Sequence, residues 1–171
     1  MHDLDHHGVL RFQHQTSPQS VNKRKNVSVN VPVIKQGEQK AVAVLAVYPD
    51  GKGIAISAKN RYKVDWGDGT TQNFGSGAIA THVYNFEALD ESTLNPKGYK
   101  EVIIIIEPQK RYQLTELNFD PVLEEFQNLF EADQADWLSI DVSMPKGNGF
   151  VLSQGKVKNR HPQLEYFSVR N

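Results

Sequence analysis

Apolar and polar residues alternate along most of this chain with a period of two, in short bursts separated by turn residues. "NVSVNVPV" sets Val27, Val29, Val31 and Val33 on one side of an extended segment, the mark of a strand with one buried face. "IKQGEQK" reads as a turn, and "AVAVLAVY" (Ala41 to Tyr48) is apolar on both faces, as a central strand must be. "PDGKG" supplies three residue types that favour turn angles. Short strands follow in "IAIS" and "YKVDW", the second alternating Tyr62, Val64 and Trp66 against Lys63 and Asp65. "THVYNF" is a further strand, "EALDESTLNPKG" a polar excursion, and "YKEVIIIIEP" a strand again. Four successive isoleucines suit a pleated surface and lose rotamer freedom in a helix. Many short strands punctuated by turns predict an antiparallel sandwich over residues 27–108.

The pattern changes after Gln109. In "DPVLEEFQNLF", Asp120 caps, Pro121 takes the first helical position, and Glu124 and Glu125 fall in the first turn. Leu123, Phe126 and Phe130 share one helical face. "LTELNF", "WLSIDV" and "LEYFSV" share a strand pattern with columns Leu114/Trp137/Leu164, Leu117/Ile140/Phe167 and Phe119/Val142/Val169. Their spacing is 23 and then 27 residues in every column. That spacing lies within the range of leucine-rich solenoid units, so residues 109–171 are expected to form a small α/β leucine-rich-like part. Residues 1–26 are polar, end in "NKRKN", and read as an arm with little structure of its own.

Composition narrows the function classes. The chain of 171 residues is 39% hydrophobic and 23% charged, which is enough to bury a real core. Its 19 Lys+Arg and 20 Asp+Glu give a net charge of -1, so a general electrostatic grip on nucleic acid or anionic lipid is not expected. Without cysteine there is no disulfide, thiolate chemistry or cysteine-based zinc site. "MHDLDHHGVLRFQHQ" has no apolar core of signal-peptide length, and no apolar run, Val102 to Ile106 included, is long enough to span a bilayer. Synthesis in a cytoplasm and release by a route such as lysis is the expectation.

The candidate chemistry is thin. His2, His6, His7 and His14 lie near Asp3 and Asp5 and suit zinc or nickel by ligand type, but nothing rigid fixes their spacing. His161, before Pro162, reads as a loop residue. Asp65, Asp68 and Glu101 offer calcium oxygens without the alternating acidic pattern of a calcium loop. Asp65 and Asp68 as a hydrolytic pair lack a third group to tune either pKa. G-x-S-x-G, H-E-x-x-H and P-loop motifs do not occur. No catalytic residue, metal, cofactor or small-molecule substrate is therefore expected. The basic run Lys23-Arg24-Lys25 is a solvated stretch that offers only a few contacts to an acidic surface.

Trp66-Gly67-Asp68-Gly69, then His82-Val83-Tyr84, then Gly98-Tyr99 occur in one order over residues 27–108. This resembles a PKD-like domain, an immunoglobulin-like β-sandwich in which a strand ends in W-x-F-G-D-G or a near variant. In that family a later strand opens on His-x-Tyr, and Gly-x-Tyr begins the last one. Here the aromatic between Trp and Gly is missing, and residues 85–97 make a longer segment. In such a turn Gly67 and Gly69 permit positive φ, Asp68 bonds neighbouring amides, and Trp66 fills the space between sheets. Tyr84, with His82 before it, is placed to tie a corner by a phenol-to-backbone bond.

"YKVDWGDGTTQNFGSG" and the order of the parts also resemble virion proteins of tailed bacteriophages, including phages of cyanobacteria. The resemblance implies a non-enzymatic structural protein of a virion: capsid decoration, neck, baseplate or fibre attachment. Its partners would be other virion proteins and copies of itself. "LEYFSVRN" ends an apolar strand with no polar capping repeat behind it, so Leu164, Phe167 and Val169 are expected to dock on another subunit, with the arm and Lys23 to Lys25 adding a second contact. The alternative is an extracellular carbohydrate- or host-surface-binding module, with Tyr62, Phe74 or Tyr99 as a sugar platform.

Overall fold

The computed structural model describes residues 9–11, 29–50, 52–119, 136–153 and 166–170. Strands dominate them: β1 (Val9–Arg11), β2 (Lys40–Val47), β3 (Lys52–Ala58), β4 (Tyr62–Asp65), β5 (Thr71–Phe74) and β6 (Ile79–Tyr84). After two 3-10 turns (Phe86–Ala88 and Glu91–Thr93) come β7 (Lys100–Pro108), β8 (Glu116–Asn118), β9 (Asp136–Ser143), β10 (Gly149–Ser153) and β11 (Tyr166–Arg170). They make two sheets, one ordered β1-β10-β8-β3-β6 and the other β11-β9-β2-β7-β4-β5. Ile54, Ile56, Leu117 and Phe150 of the first share a core with Ala43, Leu45, Ile104 and Ile140 of the second. The fold is mainly β and sandwich-like.

The doubly apolar run is the centre of the six-stranded sheet. β2 pairs antiparallel with β7 on one side and β9 on the other. Ala41 to Val47 are all buried, which requires cover on both faces. The outer cover comes partly from residues 29–31: Val29 and Val31 pack against Val44, Ala46, Tyr99 and Leu138. The Val29 N–H donates to Glu101 Oε2 at 3.1 Å. Residues 29–34 are not the period-two strand expected there. Pro32 has no N–H for a ladder, and the burial phase slips after it, leaving Val33 64% exposed and Ile34 buried. The segment crosses the sheet rather than joining it.

Among the described residues, parallel pairing is confined to the strands after residue 115. Over residues 116–170 the chain visits the two sheets in turn, β8 and β10 in one, β9 and β11 in the other. A chain that coils this way returns to each sheet in the same direction, so β10 is parallel to β8 and β11 to β9. The β9–β11 register sets Ile140 opposite Phe167 and Val142 opposite Val169, two of the columns read from the sequence. The earlier member of those columns, with Leu117 in β8, pairs in the other sheet. The arm read as having little structure contributes β1, which pairs antiparallel with β10, Leu10 opposite Leu152. Val9 and Leu10 of the arm thus lie along a strand edge. The helix expected over Asp120 to Phe130, Leu164, Lys23 to Lys25, and His2, His6, His7, His14 and His161 lie outside the described residues.

Candidate functional site

The motif that dominates the sequence builds a corner between the sheets. Trp66 follows β4 and keeps the inward parity of Tyr62 and Val64; all three are fully buried. The next four residues close a turn, in which the Trp66 N–H donates to the Thr70 carbonyl at 3.0 Å. Asp65 Oδ1 accepts the Gly67 N–H at 3.0 Å. Asp68 Oδ1 accepts both the Thr70 N–H at 3.1 Å and the Thr70 hydroxyl at 2.6 Å. Gly67 and Gly69 have φ of 79° and 92°, where side-chain-bearing residues are strained. Gly67 carries a second constraint: a Cβ there would lie 2.2 Å from the Ile103 carbonyl oxygen of β7. The turn sits against that strand's backbone.

β6 supplies the other half. His82 stacks on Trp66 with ring centroids 4.7 Å apart and an 8° interplanar angle. Its Nε2 lies 2.6 Å from Asp68 Oδ2. A carboxylate can only accept, so that nitrogen carries the donated proton. Tyr84 donates its phenol to the Trp66 carbonyl at 2.7 Å, the corner bond expected of it, and meets the His82 ring edge-on. Trp66 Nε1 donates to Gln72 Oε1 at 2.8 Å. One tryptophan thus binds β4, β5 and β6 through stacking, backbone and indole contacts.

The electrostatics follow from burial and bonding. Burial acts to raise the Asp68 pKa, but hydrogen bonds from Thr70 and His82 outweigh it and hold the carboxyl below its usual range. The Tyr84 phenol is pushed well up, first by burial and then by the nearby Asp68 and Asp65 charges. Burial also pushes the Tyr62 phenol up to about 12; its hydroxyl donates to the Ala78 carbonyl. These groups stay as a neutral phenol donor and an ionised carboxylate acceptor at neutral pH.

The remaining candidates among the described residues have definite places. Asp65 Oδ1 accepts a turn amide, and both Asp68 oxygens are engaged by Thr70 and His82. Asp65 pairs with Ile105, four positions along β7 from Glu101, roughly 13 Å at strand spacing, so the calcium trio is not assembled. Among the described residues no group of three or more metal-ligating side chains occurs. Gly98, at φ 90°, turns the chain into β7, and Tyr99 packs edge-on against Tyr48 at 5.4 Å. The sugar platform is corrected: Tyr62 and Tyr99 are fully buried, and Phe74 stacks on Tyr62 at the core edge. Tyr62 and Phe74 face the core between the sheets, whereas Tyr99, of the opposite parity, is buried on the outer face with Val44, Ala46 and Leu138. Phe167 packs against the core and Val169 is buried within it.

Lys100 was missed. Its side chain is wholly buried, and its ammonium donates to the carbonyls of Phe86 and Leu89 at 2.9 and 3.0 Å and to Glu91 Oε1 at 2.6 Å. It also lies 4.5 Å from the Phe86 ring centroid. Three donors meet three acceptors, which is the condition for burying an ammonium. The Lys100 ammonium helps to pin the long 85–97 excursion to the body, beside Leu89 in the core and the Asn95 N–H bonded to the Tyr99 carbonyl. The signal was present: Lys100 shares the inward parity of Val102, Ile104 and Ile106.

Compared with known proteins, the chain matches no family model, no curated protein and no solved structure.

Proposed function

We propose that this chain is a non-enzymatic structural protein of a bacteriophage virion, working through contacts with other virion proteins and with copies of itself. The reading rests on the resemblance of Trp66-Gly67-Asp68-Gly69, His82-Val83-Tyr84 and Gly98-Tyr99 to PKD-like sandwiches, and of the surrounding segment to tail and capsid components. The observation that carries it is the use to which the motif is put: both Asp68 oxygens, the Tyr84 phenol and the Trp66 indole are engaged within the corner. A cluster so occupied makes a rigid joint between sheets, which suits a building part. The PKD-like identity of the 27–108 sandwich, and a leucine-rich kinship of the β8–β11 coil, belong to the same proposal. Quantitative mass spectrometry of density-gradient-purified particles tests it. A fixed ratio of this chain to the major capsid protein is expected; a chain found only in the soluble lysate would count decisively against the reading.

A further inference from the structure

The β8–β11 coil has an end that needs a cap. Inside it the pairing is parallel, β8 with β10 and β9 with β11, and each turn adds one strand to each sheet. On the five-stranded side the outermost coil strand is β10, "GFVLS", which has no charged residue. An uncharged strand edge pairs readily with another strand and has to be covered. The cover is β1, and it is antiparallel: Val9, Leu10 and Arg11 oppose Ser153, Leu152 and Val151. An antiparallel strand ends a parallel coil rather than continuing it.

The cap comes from the opposite end of the sequence. Residues 12–28 separate β1 from the next described part of the body, a length that spans at most roughly 55–60 Å when fully extended. The β1–β10 pairing is a three-residue backbone ladder, which the same three residues of another copy can form with β10. Strand exchange of this kind preserves that ladder and lets mass action decide between closed and exchanged forms.

We infer that β1 is an exchangeable strand, and that in the assembled state it caps β10 of a second copy of this chain. This rests on the assembly reading above and names its partner and its contact. At low concentration a tethered β1 closes on its own β10, because a short tether holds it at an effective concentration of the order of millimolar. Packing copies side by side raises the competing concentration to that level and links neighbours through their arms.

The absence of native cysteine makes a clean test. Leu10→Cys and Leu152→Cys are introduced on separate chains, which are mixed at about 1 mM, the scale of the tether's effective concentration, and equilibrated in a thiol–disulfide buffer. The double variant on one chain verifies the pairing, and Arg11→Cys with Val151→Cys repeats both arms at the adjacent, differently bonded pair. The expected result is a mixed disulfide in clear excess over either homodimer, lost when the mixture is diluted a hundredfold before oxidation. Intrachain bonds in the double variants with no excess of mixed dimer would overturn exchange, and so would failure of both double variants to cross-link. Particle mass spectrometry is independent of this result, so exchange can fail while the virion reading stands, and the reverse.

Discussion

Gly67 and Gly69 look interchangeable in the sequence, yet alanine in their places should differ sharply. Both have positive φ, so alanine at either carries the left-handed penalty of about 1–2 kcal/mol. At Gly69 nothing lies within 4 Å of the added Cβ, and the loss stops there. At Gly67 the Cβ falls 2.2 Å from the Ile103 carbonyl oxygen. β7 cannot recede, since Ile103 sits mid-strand, paired with Val44 of the central strand β2, with Ile104 fully buried beside it. Relief must come from lifting the turn, which loosens the Trp66 carbonyl from Tyr84 and adds about 1–3 kcal/mol of overpacking. The expected losses are therefore about 2–5 kcal/mol for Gly67→Ala and about 1–2 for Gly69→Ala. Urea denaturation of both variants, with far-ultraviolet circular dichroism and tryptophan fluorescence, measures the difference. Equal losses, or a larger loss at Gly69, would refute the claim that the turn is seated on the β7 backbone.

Three further outcomes follow from the same geometry. Lys100→Met should cost about 3–5 kcal/mol in denaturant melts, because it leaves the Phe86 and Leu89 carbonyls without their buried cation. Glu91→Gln, at the solvent-facing end of the cluster, should cost much less. Asp68 has a depressed folded-state pKa, so its contribution is complete above the unfolded carboxylate value of about 4 and is lost as pH falls through the folded value. Asp68→Asn should therefore flatten the acid limb of a stability–pH curve while lowering stability at neutral pH. Phe167→Asp should destabilise the fold itself by about 3 kcal/mol or more, since the side chain packs on the core, and a loss of the cooperative melt should accompany any loss of assembly.

Strand positions were largely legible because one face or both were buried at period two. β2, β4 and β7 lie where Ala41 to Tyr48, Tyr62 to Trp66 and the isoleucine run place them. The corner was legible too, since few residue types suit a positive-φ turn beside a buried tryptophan. Topology was not. Period two records which residues face inward, but not which sheet receives them, and so β8 carries the same alternation as β9 yet pairs elsewhere. Val29 to Val33 misled for a related reason: alternation in a segment containing Pro32 describes an extended chain, and only the missing ladder donor distinguishes a crossing segment from a strand. Lys100 was overlooked because a charged residue at the start of a strand reads as its exposed end. Its three acceptors come from a loop whose path the sequence does not specify.

The most direct measurement is cryo-electron microscopy of purified native particles. The account expects density for the two-sheet body at regular, repeated positions, with the Trp66–His82–Tyr84 corner inside each copy and neighbouring copies in contact. Particles without such density, together with a chain that sediments as a monomer at millimolar concentration, would contradict it.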